Sequence, residues 1–227
     1  ALKHVHLGEL HPGQCVLTNL IGVRNALAAA HAAGAEDFLL VSSDKAAAPL
    51  CLMGACKRLA ELYLCGFSAE HASAPRVAAV RFGNVLASQG SVAPLFAEQI
   101  ERGGPVTLTH PGMQRYFISM DEAVDLVLAV AVRGGAEPLT YVKDMGEPIS
   151  ILRLAEEMIA RAGSRAPIMV TGLRPGEKLR EQMFDADEAV SPSAIEGVCE
   201  ARAFGAVSTA DVDALEEAAF ALGPAAL

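Results

Sequence analysis

The 227-residue sequence predicts an α/β fold built around a parallel, doubly wound sheet. Short apolar runs at 36–42 and 76–82 are typical of buried strands. Before and between them, residues 12–34 and 52–69 carry apolar side chains at helical spacing. Helix and strand therefore alternate, which is the order that produces parallel sheets. Hydrophobic residues make up 52% of the chain and charged residues 20%, a balance typical of an ordered domain with a sizeable core.

The second half of the sequence predicts shorter elements. Ser119 and Glu122 have the spacing of a capping box and predict the start of a helix. Ser91 is placed to cap an earlier helix, which should end at the Gly-Gly-Pro sequence at 103–105. The turn at 173–178 is expected to lead into another helix. The other predicted elements are extended pieces at 106–110 and 115–120, strands at 139–145 and 168–171, and helices at 150–163 and 208–222.

Composition and charge argue against several classes of function. The formal net charge is −9 and no run of Lys or Arg occurs, so a nucleic-acid partner is not expected. The five cysteines lack a Cys-x-x-Cys spacing, which favours free thiols in a reducing compartment over disulfides or a metal site. No apolar stretch reaches the roughly 18 residues of a membrane span, and no signal peptide is visible. We therefore expect a cytoplasmic chain without a membrane segment.

Candidate chemistry is concentrated directly after the predicted strand at 36–42. The four residues that follow its apolar run carry polar, reactive groups: Ser42, Ser43, Asp44 and Lys45. They lie at the carboxyl end of a strand, the edge where open α/β sheets bind ligands. In the next predicted helix, Met53 and Lys57 are one turn apart on the same face. This arrangement is typical of an enzyme, although a solvated loop pair is the usual fate of adjacent charges such as Asp44 and Lys45.

Four stretches of the sequence resemble one family closely. In chain order they are SSDKAAAPLCLMGACKRLAE, RFGNVLASQGSVAPLFAEQIERGGPVTLTHPGMQRYFIS, DMGEP and GLRPGEKLREQ. They are similar to the capsular-polysaccharide type of nucleotide-sugar 4,6-dehydratases, which belong to the extended short-chain dehydrogenase/reductase superfamily. The similarity runs from Leu2 to about Glu181 and fades beyond Asp185.

The resemblance implies a Rossmann fold that binds NAD. It also implies an enzyme whose substrate is UDP-N-acetylglucosamine or a related UDP-N-acetylhexosamine. The family's glycine-rich turn is missing here, so we expect a fragment: the C-terminal part of a Rossmann-type parallel sheet with a smaller α/β substrate-binding lobe. The resemblance also implies a homo-oligomer, and full-length relatives often carry a membrane region before the enzyme domain. The implied boundaries are 1–90 and 119–145 for a partial NAD-binding domain, 91–118 and 146–190 for the nucleotide-sugar lobe, and 191–227 for a helical tail.

The resemblance assigns the catalytic groups of this reaction. C4 of the sugar is oxidised, water leaves from C6, and C6 is then reduced. Asp44 corresponds to the acid for the departing C6 hydroxyl, Lys45 to the base for the C5 proton, and Ser43 to a contact near O4. Met53 replaces the superfamily's usual tyrosine and cannot exchange a proton, while Lys57 should still bind the nicotinamide ribose. Methionine at this position is typical of the branch that retains the C5 configuration; core packing is the alternative interpretation of Met53.

The resemblance also assigns binding residues. Those expected beside NAD are Ser42, Lys57, Phe82, Gly83 and Val85. Those expected around the UDP-sugar are Asn84, Ser91, Arg115, Arg174 and Glu177. The two arginines should pair with the diphosphate, because a guanidinium offers a planar fork to phosphate oxygens; surface salt bridges are the alternative. Gly83 should let the backbone approach the cofactor. Asn19 should order the surroundings of the catalytic lysine, unless it is merely a polar residue on an exposed helix face.

Two other functions stay open at this point. The first is a nucleotide-sugar 4-epimerase of the same superfamily, which is weakened because such enzymes generally depend on the tyrosine that Met53 replaces. The second is a catalytically silent nucleotide-sugar-binding fragment. The loop at 46–51 is less polar than in relatives, and Cys56 stands where threonine is common. These departures leave the sugar specificity open.

Overall fold

The computed structural model describes residues 1–86, 88, 90–133, 135 and 137–222, which form an α/β molecule. Its helices are α1 (Val5–Leu10), α2 (Pro12–Val16), α3 (Gly22–Ala32), α4 (Leu52–Glu70), α5 (Val92–Glu101), α6 (Met120–Arg133), α7 (Ile151–Arg161) and α8 (Thr209–Ala221). Its strands are β1 (Asp37–Val41), β2 (Arg76–Arg81), β3 (Asn84–Val85), β4 (Val106–Leu108), β5 (Gln114–Arg115), β6 (Phe117–Ile118), β7 (Leu139–Lys143), β8 (Ile149–Ser150), β9 (Ile168–Val170), β10 (Glu188–Pro192) and β11 (Val198–Ala203).

The central sheet has the strand order β1-β2-β7-β11-β10. Strand β2 pairs in parallel with both β1 and β7, whereas β11 and β10 are antiparallel additions beyond β7. Parallel neighbours need a crossover connection, which α4 provides between β1 and β2. This arrangement confirms the predicted α/β class with a Rossmann-type sheet. It also brings the carboxyl ends of β1 and β2 to one edge of the sheet.

One hydrophobic cluster lies between the sheet and the helices α2, α3, α4 and α8. Its buried members include Leu20, Leu27, Leu40, Tyr63, Leu64, Phe67 and Val77. The long helix predicted at 12–34 is present, but a π turn (Leu17–Ile21) separates α2 from α3. Gly34 ends this helix with a φ of 69°, a conformation that glycine adopts without strain. Val212 of α8 packs into the same cluster.

A second cluster lies around α6, which contacts β1 and β2. Ala123, Leu126 and Val130 form its buried stripe and pack with Val80 and Tyr141 of the sheet. The predicted capping box is confirmed at the start of this helix. The Ser119 amide donates to Glu122 Oε2 at 2.9 Å, and the Glu122 amide donates to Ser119 Oγ at 3.1 Å.

A third cluster belongs to a smaller group of elements: α5, α7 and the parallel pair β4–β9. Its buried members include Phe96, Ile100, Val106, Leu108, Ile151 and Ala155. Two short strand pairs, β3–β6 and β5–β8, belong to the segments of sequence that connect this group of elements with the central sheet. Residues of these pairs, among them Asn84, Val85 and Arg115, line cavities at the edge where β1 and β2 end.

The prediction of a helical tail over 191–227 is wrong for its first part. Up to residue 222, where the described part of this range ends, strand β11 pairs with β7, strand β10 pairs with β11, and α8 is the helix; residues 223–227 lie outside the described residues. Val198 and Ala201 of β11 are buried, and the half-buried Cys199 and Glu200 lie between them, so the strand lacks the regular alternation that would mark it in the sequence. Pro192 lies at the end of the outermost strand, where a missing amide donor does no harm.

The helix expected after the turn at 173–178 is also absent from the described chain. Residues 179–187 are irregular, and side chains from other elements satisfy their backbone and fix their path. Arg81 donates to the Met183 carbonyl at 2.8 Å, and Asp185 accepts a hydrogen bond from the Ala48 amide at 2.8 Å. These tertiary contacts replace the local hydrogen bonds that a helix would make.

Candidate active site

The carboxyl ends of β1 and β2 face two adjoining cavities. The strand cavity, about 460 Å³, is lined by the ends of β1 and β2, by α4 and by the first residues of the chain. The lobe cavity, about 620 Å³, is lined by α5, β4, β5 and residues 171–177. Asn84, Gly90 and Val92 line both, so the two cavities are contiguous.

Asp44 and Lys45 lie in a 3₁₀ turn (Asp44–Ala46) at the end of β1. Ser43 caps this turn, since its Oγ accepts a hydrogen bond from the Lys45 amide at 3.2 Å. The same hydroxyl donates to Asp44 Oδ1 at 3.0 Å, and Lys45 Nζ donates to Asp44 Oδ1 at 2.9 Å. The hydroxyl, the carboxylate and the amine therefore form one hydrogen-bonded group.

A glycine in α4 makes the position of this turn possible. A Cβ on Gly54 would lie 2.2 Å from the Lys45 carbonyl oxygen, far inside van der Waals contact. The start of α4 therefore packs directly on the backbone of the turn. Cys51 completes this junction by accepting a hydrogen bond from the Gly54 amide at 3.3 Å.

Ser43 and Lys45 line the strand cavity, whereas Asp44 lies behind them. Asp44 has no exposed surface, and within the described chain its Oδ2 is a buried oxygen without a hydrogen-bond partner. A carboxylate with an unpartnered buried oxygen is costly to keep. The groups that a ligand in the cavity can touch are therefore the hydroxyl and the amine, with the carboxyl connected to both.

Lys45 is surrounded by charges. Its Nζ lies 2.9 Å from Asp44 and 3.6 Å from Oε1 of Glu181, and it donates to Asn84 Oδ1 at 3.2 Å. Burial alone would lower the pKa of Lys45, but the attraction of Asp44 and then Glu181 outweighs it and holds that pKa above its ordinary value. Lys45 is therefore an ammonium ion in this arrangement.

Met53 and Lys57 line the strand cavity from α4, as their helical spacing predicts. Met53 is 3% exposed and also belongs to the main hydrophobic cluster, so packing and cavity lining are both observed. Lys57 Nζ donates to the Val41 carbonyl at 2.9 Å. Burial lowers the pKa of Lys57, with Glu61 acting in the opposite direction.

The residues expected beside NAD also line the strand cavity: Ser42, Phe82, Gly83 and Val85. Ser42 Oγ is buried there without a hydrogen-bond partner in the described chain, which leaves it available to a ligand. Gly83 also packs closely against the segment between β5 and β6: a Cβ there would lie 2.6 Å from the Tyr116 carbonyl oxygen, so glycine is needed for this contact as well.

Four of the five residues expected around the UDP-sugar meet in the lobe cavity: Asn84, Arg115, Arg174 and Glu177. Arg174 is exposed, and its amide donates to Glu177 Oε2 at 3.1 Å. Arg115 is 9% exposed, so a surface salt bridge does not describe it. Ser91 instead lines the strand cavity; it is the N-cap of α5, but its buried Oγ has no partner among the described residues.

Asn19 is placed in the π turn and is 1% exposed, which contradicts the exposed-face alternative. Its side chain accepts from the Leu2 amide at 2.8 Å and donates to the Leu2 carbonyl at 2.9 Å. Leu2 lines the strand cavity together with Lys57. Asn19 thus fixes the first segment of the chain as one wall of the cavity.

Sequence reasoning missed Glu181. It lies in the irregular segment after the 173–178 turn, and its side chain is 3% exposed. Three cations approach its carboxylate: Lys45 at 3.6 Å, Arg115 at 3.9 Å and Lys178 at 4.0 Å. Glu181 belongs to the stretch GLRPGEKLREQ, and this was the signal that could have identified it. Because Arg180 and Gln182 are its neighbours, the local sequence instead resembles an exposed polar segment.

This combination of a Rossmann-type sheet and polar cavities at its strand ends is the architecture of the open α/β proteins, which as a class bind their ligands at that edge of the sheet. Residues 1–203 match the model of a family described as "Polysaccharide biosynthesis protein". The chain belongs to this family.

The sequence of this chain is similar to those of several other proteins. The chain is 46% identical over 191 residues to the probable polysaccharide biosynthesis protein EpsC of Bacillus subtilis, covering 83% of this chain and 31% of that protein. It is 44% identical over 192 residues to the capsular polysaccharide biosynthesis protein CapD of Staphylococcus aureus, covering 83% and 32%. It is also 35% identical over 189 residues to the UDP-glucose 4-epimerase of Rickettsia rickettsii, covering 83% and 55%. The chain thus spans about a third to a half of the length of these relatives.

Solved structures show the same fold. Pen from Bacillus thuringiensis superposes with a TM-score of 0.82 at 30% identity, covering 92% of this chain and 66% of that one. DesIV, a dTDP-glucose 4,6-dehydratase from Streptomyces venezuelae solved with NAD bound, gives 0.74 at 18% identity, covering 98% and 71%. The neighbours therefore include nucleotide-sugar dehydratases and epimerases. Within the described chain, no helix is long and apolar enough to cross a bilayer, and no cluster of three or more His, Cys, Asp or Glu side chains could hold a metal ion.

Proposed function

We propose that the protein containing this chain dehydrates a UDP-N-acetylhexosamine to its 4-keto-6-deoxy derivative for polysaccharide or glycan synthesis. One observation carries the proposal: a hydrogen-bonded carboxyl–amine pair, Asp44 and Lys45, lies at the strand ends beside a helix whose tyrosine position is occupied by Met53. Proton transfer at the sugar must then use the pair, because a thioether cannot exchange protons. Membership of the family supports the polysaccharide context.

The strand cavity suits NAD. Lys57, the unpartnered Ser42 hydroxyl and the backbone at 82–85 are the groups of this chain that would hold its nicotinamide end, which supplies a hydride acceptor and donor when bound. The buried, unpartnered hydroxyl supports this fit, because such a group is normally satisfied by a ligand or water.

Lys45 is the proposed base for C5. The Lys45 ammonium first passes a proton to Asp44 along their 2.9 Å hydrogen bond. The neutral amine then takes the C5 proton as the C6–O bond breaks, and it returns a proton to C5 after C6 has been reduced. Asp44 supplies the proton with which the C6 hydroxyl leaves as water. Because Asp44 lies behind the cavity wall, Ser43 is the proposed relay: its Oγ bonds to the carboxylate at 3.0 Å and lines the cavity. The same lysine can return the proton to the face from which it came, which supports retention at C5.

The lobe cavity is the proposed site of the UDP group. Arg115 and Arg174 would pair with the diphosphate, and Glu177 with the uridine ribose. Asn84 lines both cavities and bonds to Lys45, so it would hold the sugar-phosphate junction near the base. The free Ser91 hydroxyl at the start of α5 would contact the substrate from the strand-cavity side. A cytoplasmic place of action and self-association of the chain are further parts of the proposal.

A 4-epimerase is the second candidate, because the Rickettsia rickettsii relative carries that name at 35% identity. Both reactions begin with oxidation at C4, and only the dehydratase needs an acid and a base for C5 and C6. The hydrogen-bonded Asp44–Lys45 pair at the cavity wall is the feature that favours dehydration over epimerisation.

The deciding experiment gives UDP-N-acetylglucosamine and NAD to the protein as encoded in its genome and follows the sugar by mass spectrometry and NMR. We expect a product lighter by one water, with a C4 ketone and an unchanged C5 configuration. A sugar of unchanged mass with inverted C4 would establish the epimerase instead. Binding of UDP without any conversion would establish a silent nucleotide-sugar-binding protein.

A further inference from the structure

We propose that Glu181 is a positioning residue for Lys45: its carboxylate is the fixed counter-charge that holds the amine in the wall of the strand cavity. The inference rests on the proposed function, which gives Lys45 the role of base. It adds a residue to which the resemblance and the comparisons assign no role.

The burial of Glu181 is the first observation. Its side chain is 3% exposed, and its Oε2 has no hydrogen-bond partner within the described part of the chain. A carboxylate is expensive to bury unless charges nearby compensate it. Lys45, Arg115 and Lys178 provide that compensation at 3.6–4.0 Å. Glu181 is therefore held by cations from three different segments, and not by a surface contact.

The connections of these cations give the second observation. Lys45 and Arg115 both approach the same oxygen, Oε1 of Glu181. Lys45 lines the strand cavity and Arg115 the lobe cavity. One oxygen of Glu181 thus lies close to both Lys45, the proposed base, and Arg115, the residue proposed to bind the diphosphate. It fixes their spacing, which a sugar nucleotide must match at both of its ends.

The role of Asp44 explains why a second carboxylate is needed. Asp44 must be neutral to supply a proton, and a neutral carboxyl no longer attracts the amine electrostatically. Lys45 becomes an ammonium ion as it takes the C5 proton, and the Glu181 carboxylate is then the counter-charge that takes no part in the proton transfer. The other groups facing Lys45 are the Asn84 amide, the Cys51 thiol and, across Glu181, the Arg115 guanidinium. Among these groups, Asp44 and Glu181 are the carboxylates.

The test measures the protonation midpoint of the Lys45 amine directly. Competitive acetylation by acetic anhydride, quantified by mass spectrometry across pH, reports the fraction of neutral amine in the protein as encoded. Loss of a negative charge about 4 Å away destabilises the ammonium form, so Glu181→Gln should lower the midpoint by about one pH unit or more. The exposed Glu147 gives a matched control, and Glu147→Gln should leave the midpoint unchanged.

Turnover provides the second readout. The alkaline limb of the plot of kcat/KM against pH, where the Asp44–Lys45 pair loses the proton that Asp44 must supply, should move to lower pH in Glu181→Gln, in parallel with the acetylation midpoint. A midpoint that is the same in wild type and Glu181→Gln, or that moves equally in Glu147→Gln, overturns the proposal. If Glu181→Gln does not fold by circular dichroism, Glu181→Asp serves instead; it should lower the midpoint by a smaller amount, and no change overturns the proposal. Absence of any turnover in wild type refutes the dehydratase, whereas the acetylation midpoint still decides the role of Glu181.

Discussion

Met53 and Lys57 share one face of α4 and line the same cavity, yet only the lysine can exchange a proton. Met53 is buried in the main cluster as well as at the cavity wall. Its thioether offers packing and polarisability, and neither property moves a proton. At the scale of single residues, we therefore propose that the proton chemistry takes place one loop away, in the hydrogen-bonded group of Ser43, Asp44 and Lys45.

Met53→Leu tests this division of roles. Leucine has a similar volume and no sulfur, so we expect turnover to fall by less than about tenfold and stability by less than about 1.5 kcal/mol. Lys45→Met is the comparison that removes a proton-transfer group, and it should cost about 10² to 10⁴-fold. Steady-state kinetics on both variants give the answer. A Met53→Leu variant as inactive as Lys45→Met would show that the sulfur has a chemical role.

Gly54→Ala tests the contact that holds the Asp44–Lys45 turn against α4. A methyl group at this position would lie 2.2 Å from the Lys45 carbonyl, so the turn or the helix must shift. We expect a loss of roughly 2 kcal/mol in the free energy of unfolding, measured by urea denaturation, together with reduced turnover. Gly22→Ala in α3 is the control, because its methyl group would meet only an ordinary contact at 3.7 Å. Equal stability of the two variants would contradict the account of the turn.

At the scale of elements, a buried network of charges joins α4, β2 and β10. Arg81 of β2 has no exposed surface and pairs with Glu61 of α4 at 2.6 Å and with Glu188 of β10 at 2.9 Å. Arg58 also contacts Glu188. The Arg81 guanidinium further binds the Met183 carbonyl, so the network anchors the segment that carries Glu181. The position of the site therefore depends on ions that lie outside its cavities.

Glu188→Gln should destabilise the protein strongly. Removing one charge leaves Arg58 and Arg81 buried with too little compensation, which costs about 3 kcal/mol. The matched control is Glu98→Gln, whose partner Arg102 is exposed and whose ion pair is worth less than about 1 kcal/mol. Urea denaturation at neutral pH measures both changes. A loss of less than 1 kcal/mol in Glu188→Gln would show that the network contributes little.

The difference in stability between wild type and Glu188→Gln should depend on pH. Burial would raise the pKa of Glu188, but its hydrogen bond to Arg81 and the charge of that residue outweigh burial and lower it below 4.5. A lowered pKa contributes stability that is present above the unfolded value and is lost as pH falls through the folded value. The difference in Tm between wild type and Glu188→Gln should therefore be greatest above about pH 4.5 and shrink in more acidic buffers. A difference that is constant or grows as the pH falls contradicts this assignment.

At the scale of the whole molecule, local signals in the sequence located most elements and most of the predicted residues that line the two cavities. The start of α6 could be predicted because Ser119 and Glu122 form its capping box with their own hydrogen bonds. The position of residues 42–45 at a sheet edge could be predicted because a strand directly precedes them. What could not be predicted depends on distant partners. Strands β10 and β11 exist because β7 offers them an edge. Gly83 is required because the Tyr116 backbone packs against it. Glu181 is buried because three cations lie near its carboxylate, and two of them, Lys45 and Arg115, are far from it in sequence.

Two groups of elements build one site in this molecule. The central sheet supplies the strand cavity with the Ser43–Lys45 turn, and the smaller group around α5 and α7 supplies the lobe cavity with Arg115 and Arg174. Asn84 and Glu181 lie where the two meet. Lys45 lines the cleft, and Asp44 is enclosed behind it, so neither group is turned out into bulk solvent.

The most direct test of the central claim is a single turnover of Asp44→Asn with UDP-N-acetylglucosamine and NAD, using the protein as encoded. Reduced nicotinamide is followed by absorbance and water loss by mass spectrometry, with wild type alongside. We expect that nicotinamide reduction survives and that the sugar stops at the oxidised stage without losing water. Water loss at the wild-type rate in Asp44→Asn would contradict this expectation.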